Sequence, residues 1–222
     1  MLFFILISLN GGISLNIAQN FYSESWSGTE TGSIIWMLMV DIGWGKHLSG
    51  SLVLNNTFKS GYGQTYSQSS ETGEWLPPVK STDRIENETV LKLVKGWAVD
   101  PFTSLTLQSQ FYDNTIPDTT LFINPITITL GAGASRTILK NKNTEVVSRI
   151  GYAMKQSIER NSENSRDGGI EWITEAQTSV GKNVKYNGRL KLYRAFYSSN
   201  PDPSGYWKSP DLAEVSYFYF LK

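Results

Sequence analysis

The chain has 222 residues, with Lys+Arg and Asp+Glu at 20 each and a formal net charge of zero. That balance excludes a nucleic-acid binder driven by phosphate attraction, which needs a basic excess. Cysteine is absent and His47 is the single histidine, which excludes disulfide scaffolds and leaves little room for zinc sites or most acid–base catalysis. Hydrophobic residues make up 40% of the chain and charged ones only 18%, a composition that can offset chain entropy and argues against disorder.

Residues 1–11 carry the apolar run Met1–Ile7 and read as a signal-peptide remnant or a truncated start, with no basic leader and no clear cleavage site. Residues 12–222 read as one β-domain. No segment reaches the roughly 18–20 apolar residues of a membrane-spanning helix, and no helical spacing is sustained. A period of two recurs instead. It marks about ten strands of about 9–13 residues, near 12–21, 33–43, 47–60, 83–97, 102–112, 122–135, 144–157, 169–181, 186–198 and 212–222.

The alternation is clearest in four places. Near 83–97, Ile85, Thr89, Leu91 and Leu93 oppose Arg84, Glu86, Glu88 and Lys92. Near 102–112, Leu105, Leu107 and Phe111 oppose Ser104, Thr106, Gln108 and Gln110. Near 169–181, Trp172, Ala176 and Val180 oppose Glu171, Glu175 and Gln177. Near 186–198, Leu190 and Leu192 oppose Arg189, Lys191 and Tyr193. Strands of this length exceed the usual 5–6 residues of soluble domains and match the roughly 9–11 that a tilted strand needs to cross a bilayer.

The connections alternate in length. Short turns are expected at Trp44–Lys46, Ala98–Pro101, Thr137–Asn143 and Lys182–Lys185, and long polar loops at Tyr22–Gly32, Gly61–Thr82, Asp113–Leu121, Ile158–Gly168 and Ser199–Asp211. In an up-and-down meander this puts every tight turn at one rim and every loop at the other, the asymmetry of outer-membrane barrels. Aromatics fall near strand ends. Trp44, Trp97, Phe102 and Tyr186 sit at the turn side, and Phe58, Tyr62, Phe111, Phe122, Phe196 and Tyr197 at the loop side, as two headgroup belts would require.

Alternation alone does not say which face is wet. A lumen reading collects Arg84, Glu86, Glu88, Lys92, Arg149, Lys155, Glu171, Glu175, Arg189 and Lys191 on the inward face. There they form either a structural network or a charged path for small solutes. A hydrolase reading is weaker. His47 opens a strand at the turn rim, away from any outer lipid substrate, and Glu86 with Glu88 fits ion pairing better than acid–base work. Gly131-Ala132-Gly133-Ala134-Ser135 lacks the lysine and following helix of a phosphate loop and reads as a place of close strand approach.

Several segments carry a resemblance. Ile13–Gln19 followed by Trp26-Ser27-Gly28, then Gly61-Tyr62-Gly63, Ser81-Thr82-Asp83-Arg84-Ile85 and Asn124-Pro125, resemble a bacterial outer-membrane β-barrel family of unknown function, domain of unknown function 3078. The likeness is best over about residues 13–130, and it carries no catalytic residues. Two departures stand out: Gly28 is followed by Thr29-Glu30 in place of a fuller glycine-rich turn, and the chain ends on Leu221-Lys222 in place of an aromatic residue.

The expectation is therefore an all-β, antiparallel, up-and-down transmembrane β-barrel of about ten strands, or a fragment of a twelve-stranded barrel. It lies in a bacterial outer membrane with loops outside and turns in the periplasm. Its partners are outer-membrane lipids and small solutes, without nucleic acid. The role is structural or that of a passive, porin-like small-solute channel, with no catalysis, cofactor or metal. The alternative is a soluble lipocalin-like barrel binding a lipophilic ligand.

Overall fold

A computed structural model describes residues 7–22, 31–114, 119–160, 163–180, 184–199 and 212–221; of the last segment only the backbone is described. Every regular element among them is a strand: β1 (Ile7–Asn20), β2 (Ser33–His47), β3 (Leu52–Ser67), β4 (Val79–Leu93), β5 (Asp100–Ser109), β6 (Tyr112–Asp113), β7 (Leu121–Phe122), β8 (Ile126–Lys140), β9 (Thr144–Ile158), β10 (Ser165–Val180), β11 (Val184–Ser198) and β12 (Leu212–Leu221). Ten of these form one antiparallel up-and-down sheet in the order β1-β2-β3-β4-β5-β8-β9-β10-β11-β12. The small pair β6–β7 is a hairpin inserted in the β5–β8 connection.

The meander agrees with the sequence reading, and so does the alternation of short and long connections except at β9–β10, where the segment 159–164 is no longer than the β4–β5 turn at 94–99 because β10 already begins at Ser165. The boundaries do not all agree. β3 runs to Ser67 and β4 starts at Val79, so much of the segment read as a loop from Gly61 to Thr82 is strand. The first short turn lies at Leu48–Ser51, where the N–H groups of Leu48 and Ser49 both donate to the carbonyl of Leu52. His47 therefore closes β2 and does not open β3. The next turn sits at Val94–Val99, with Gly96 at a φ of 72°, a conformation glycine adopts without penalty. Asn141 shapes the β8–β9 turn by accepting the N–H groups of Asn143 and Thr144 at 2.9 and 2.7 Å. Ile7–Gly11, read as part of the leading segment, belongs to β1. Trp26-Ser27-Gly28 lies outside the described residues.

The sheet is strongly curled. Glu88 of β4 pairs with Arg149 of β9 and Arg189 of β11, although β5 and β8 stand between β4 and β9 in the sheet. Such contacts are open only to side chains that face one another across a concave surface. β1 and β12 are the two edges, and no hydrogen-bonded pairing joins them among the described residues.

Curling crowds the inner face where β8 meets β9. Gly133 and Gly151 lie directly opposite each other. A Cβ on Gly133 would collide with the backbone of Ile150 and Gly151, and one on Gly151 with the backbone of Ala132. The expectation of close strand approach at Gly131–Ser135 is met here. Phe102, the register partner of Gly133 on β5, is buried on the same face. Gly133→Val is expected to lower the unfolding free energy by about 1–3 kcal/mol in a denaturant titration. Gly50→Val, in open space at the first turn, should stay within about 0.5 kcal/mol.

Candidate functional site

Burial on this sheet is inverted relative to a soluble core. Glu86 and Glu88 are 2% and 5% exposed, and Arg149, Arg189 and Lys191 are buried with them. Leu9 and Ile13 of β1 are 74% and 75% exposed, and Leu105, Leu107, Leu130, Ile150 and Leu190 also lie open. The register explains the division. Each strand sends alternate residues to opposite faces, so Glu86, Glu88, Ser104, Thr106, Arg149, Arg189 and Lys191 all fall on the concave side.

The centre of that side is one connected ionic cluster. Arg189 places Nη1 3.4 Å from Glu86 and Nη2 3.0 Å from Glu88, with Nε 3.6 Å from Glu175. Arg149 pairs with the second oxygen of Glu88, and Arg84 pairs with Glu86. Gln108 donates to Glu86 at 2.7 Å. Lys191 and Glu171 pair at 2.8 Å. Of the ten residues placed on the inward face from sequence, eight are thus joined by ion pairs. Lys92 and Lys155 lie on the same face by register without an ion pair within 4 Å among the described residues.

Sequence reasoning paired the acidic strand 169–181 with its two basic neighbours. Glu171–Lys191 and Glu175–Arg189 follow that scheme. The principal partners of Arg149 and Arg189 lie instead on β4, reached across the concavity. Glu86 and Glu88, considered as an acid–base pair, are both engaged by arginines. His47 is exposed at the turn rim. Among the described residues no group of three or more His, Cys, Asp or Glu could hold a metal ion.

Two aromatic placements need correction. Phe102 belongs to no outer belt. It shares the inward phase of Ser104 and Thr106, is buried, and lies with its ring centroid 5.8 Å from the Arg149 guanidinium carbon. Phe58 sits near the middle of β3, because that strand extends further than its alternation suggested. Trp44 and Tyr186 stand near the turn ends of β2 and β11. Trp97 is exposed in the β4–β5 turn, with Lys95 Nζ 5.5 Å from its ring centroid. Phe196, Tyr197 and Phe122 are exposed at the loop side. Tyr62 is the hub of a loop-side cluster, within 5.7–6.0 Å of Trp36, Phe111 and Tyr112.

A second polar cluster at the loop rim went unnoticed in the sequence. Asp83 accepts the N–H groups of Phe111 and Tyr112 at 2.6 and 3.2 Å and pairs with Lys80 at 3.0 Å. Tyr62 and Tyr112 hydroxyls meet at 2.9 Å. Asn124 donates to Asp113 at 2.9 Å and accepts the N–H of Arg160 at 3.0 Å. These bonds fasten the β6–β7 hairpin to the sheet. Three of the five segments quoted for the resemblance, Gly61-Tyr62-Gly63, Ser81–Ile85 and Asn124-Pro125, take part in this fastening.

No protein-family model and no curated protein matches this chain.

Removing one arginine from the central cluster strands its carboxylates in a buried place. Arg189→Met is expected to cost about 3–5 kcal/mol of unfolding free energy in a denaturant titration, because Glu86 and Glu88 then face each other with one cation fewer. Arg166→Met, on the exposed face near the loop end of β10, should cost under about 0.5 kcal/mol.

Proposed function

We propose that this chain is a transmembrane β-barrel of a bacterial outer membrane, with a structural or passive small-solute role and with lipid as its principal partner. The observation that carries the reading is the inverted burial: ionised groups occupy the concave face while leucine and isoleucine cover the convex one. In water that arrangement leaves apolar surface exposed and charge desolvated, both unfavourable. Against acyl chains the apolar face is the favourable one.

Polar groups on the convex face support the same environment, since they bond to one another. Asn56 donates to Asn87 and Thr89 at 3.1 and 2.8 Å. Trp172 Nε1 donates to Ser148 at 2.8 Å, and Ser148 lies 3.1 Å from Thr174. Outward cations lie toward strand ends, Lys46 and Arg136 on the turn side and Arg166 and Arg194 on the loop side. A lipocalin-like carrier, the alternative, needs an apolar interior for its ligand, whereas charges occupy this one.

Register supports closure. From Leu212 at the loop end of β12, successive partners are Tyr193, Glu171, Gly151, Gly133, Phe102, Lys92, Val53 and His47. His47 lies just past the Ile7–Lys46 pair that begins β1. One circuit of the sheet therefore descends from the loop rim to the turn rim. Ten strands about 4.8 Å apart, tilted about 35–45° with about 3.3 Å per residue, close at a stagger of roughly 10–14 residues. That stagger sets all of Leu212–Leu221 against residues within Ile7–Asn20, with inward positions facing inward ones.

Two experiments test the reading. The folded protein in detergent should migrate differently before and after boiling. Ile150→Arg, at an open site near the middle of β9, should cost about 2–4 kcal/mol in bilayers. Recovery of wild type in the aqueous phase, or an Ile150→Arg cost near zero, sinks the membrane reading. The chain has no cysteine of its own, so closure is tested by pairing Glu214→Cys with Ser14→Cys, Asn16→Cys or Ala18→Cys. One of the three double variants should form an intramolecular disulfide. Failure of all three overturns the direct β1–β12 seam.

A further inference from the structure

The β5–β8 connection is built unlike a solvated loop. Tyr62 and Asp83 are register partners whose chain neighbours Gly61 and Arg84 face the concave side, so both project from the convex one. Trp36 shares that phase on β2, two residues from Leu38, the partner of Tyr62. The base of the β6–β7 hairpin is fixed to this convex surface: the Tyr112 hydroxyl meets that of Tyr62 at 2.9 Å, and Asp83 accepts the N–H groups of Phe111 and Tyr112. Tyr112 and Phe122 are partners within the hairpin, so their side chains share one face of it, the face turned outward with Tyr62. Asp113 and Leu121 take the other face, where Asp113 is buried and accepts from Asn124. One face of the hairpin thus carries a bonded carboxylate and the other carries aromatic rings.

Two features mark the outward side as a place where water is scarce. Lys80 brings its ammonium to three acceptors, Asp83 at 3.0 Å, Gln110 Oε1 at 3.2 Å and the carbonyl of Tyr112, with the Tyr112 ring centroid 4.7 Å away. A lysine on a wet surface leaves its protons to solvent, whereas this one has a protein acceptor for each. Phe122 and Ile123 are nevertheless 66% and 51% exposed, and Ile123 holds a φ of 53°, a conformation that β-branched residues rarely adopt. Bonds on either side keep it there: its N–H donates to the Phe111 carbonyl at 3.2 Å, and Gln110 donates to the Asn124 carbonyl at 2.6 Å. Strain held at a fixed, exposed apolar tip points to a contact made by that tip.

We propose that the β6–β7 hairpin is a lipid anchor: Phe122 and Ile123 lie at the boundary of headgroups and acyl chains on the loop side of the bilayer, beside the barrel wall. The apolar surface is continuous there, since Ile126 and Leu130 follow them, exposed, on the convex phase of β8. Lipid fits this tip better than a second copy of the chain. A stable protein interface buries roughly 1,200 Å² or more, and two side chains supply a small part of that. The inference rests on the membrane reading of the convex face, and it adds that one of the long connections lies in that membrane as well.

The chain has no cysteine, so a single introduced one can carry a nitroxide spin label in phospholipid vesicles. Phe122→Cys is the test site, Ile150→Cys on the convex side of β9 the lipid reference, and Thr72→Cys in the exposed β3–β4 connection the water reference. Oxygen, which concentrates in lipid, and a nickel chelate, which stays in water, are the collision probes. The ratio of oxygen to nickel accessibility at Phe122→Cys is expected to exceed that at Thr72→Cys by about threefold or more and to stay below that at Ile150→Cys. A ratio equal to that at Thr72→Cys, while Ile150→Cys reads as lipid, overturns the anchor and leaves the barrel standing. If Ile150→Cys itself reads as water, the membrane reading fails and the anchor falls with it. Spin–spin broadening at Phe122→Cys that vanishes on dilution with unlabelled protein assigns the tip to a second copy and also overturns the proposal. All three sites are exposed and tolerate the exchange, and boiling-dependent migration of each labelled protein shows that it is folded.

Discussion

The fold depends on a set of charges that can be satisfied only across the sheet. Glu86 and Glu88 project from β4 into a space where water is scarce, and their cations come from β9 and β11. A flat sheet would hold these groups far apart. Curvature is therefore a condition for burying them, and the glycine pair at Gly133 and Gly151 makes that curvature sterically possible. Fork geometry matters as well: Arg189 reaches two carboxylates through separate nitrogens, which a lysine ammonium could not do with the same planarity.

The two faces solve opposite problems by the same rule. On the inward face polar groups pair with partners on distant strands. On the outward face Asn56, Asn87, Thr89, Ser148, Thr174 and Trp172 pair with near neighbours. On both faces these polar groups find partners within the sheet, which offsets the cost of withdrawing them from water. Shape follows from this. The aromatic hub at Tyr62 and the fastening of the β6–β7 hairpin through Asp83 and Asn124 stiffen the loop rim, while the turn rim stays tight and short.

The strand alternation was legible because a period of two needs no tertiary knowledge. Glu86, Glu88, Arg189 and Lys191 announce a polar face, and Leu105, Leu107 and Leu190 an apolar one. Turn positions were less legible, since alternation continues through Tyr62-Gly63-Gln64 and hides where β3 stops. Phe102 was misread from its place near a strand end, although its phase with Ser104 and Thr106 already marked it as inward. The long-range pairs were beyond the sequence because they depend on how far the sheet bends. The role of Asp83 was equally hidden: its carboxylate accepts from the backbone N–H groups of Phe111 and Tyr112, and backbone donors leave no trace in residue type.

The separation of the ionic partners along the chain has a kinetic meaning. Glu88 and Arg149 lie 61 residues apart, and Glu86 and Arg189 lie 103 apart. Hairpins β1 to β5 can form from nearby residues, but their carboxylates have no cations until β9 and β11 are in place. Loop closure must come first and its reward last. Until then hydration of Glu86 and Glu88 opposes collapse, so the early half of the chain is held open and receptive while the late half is being laid down beside it.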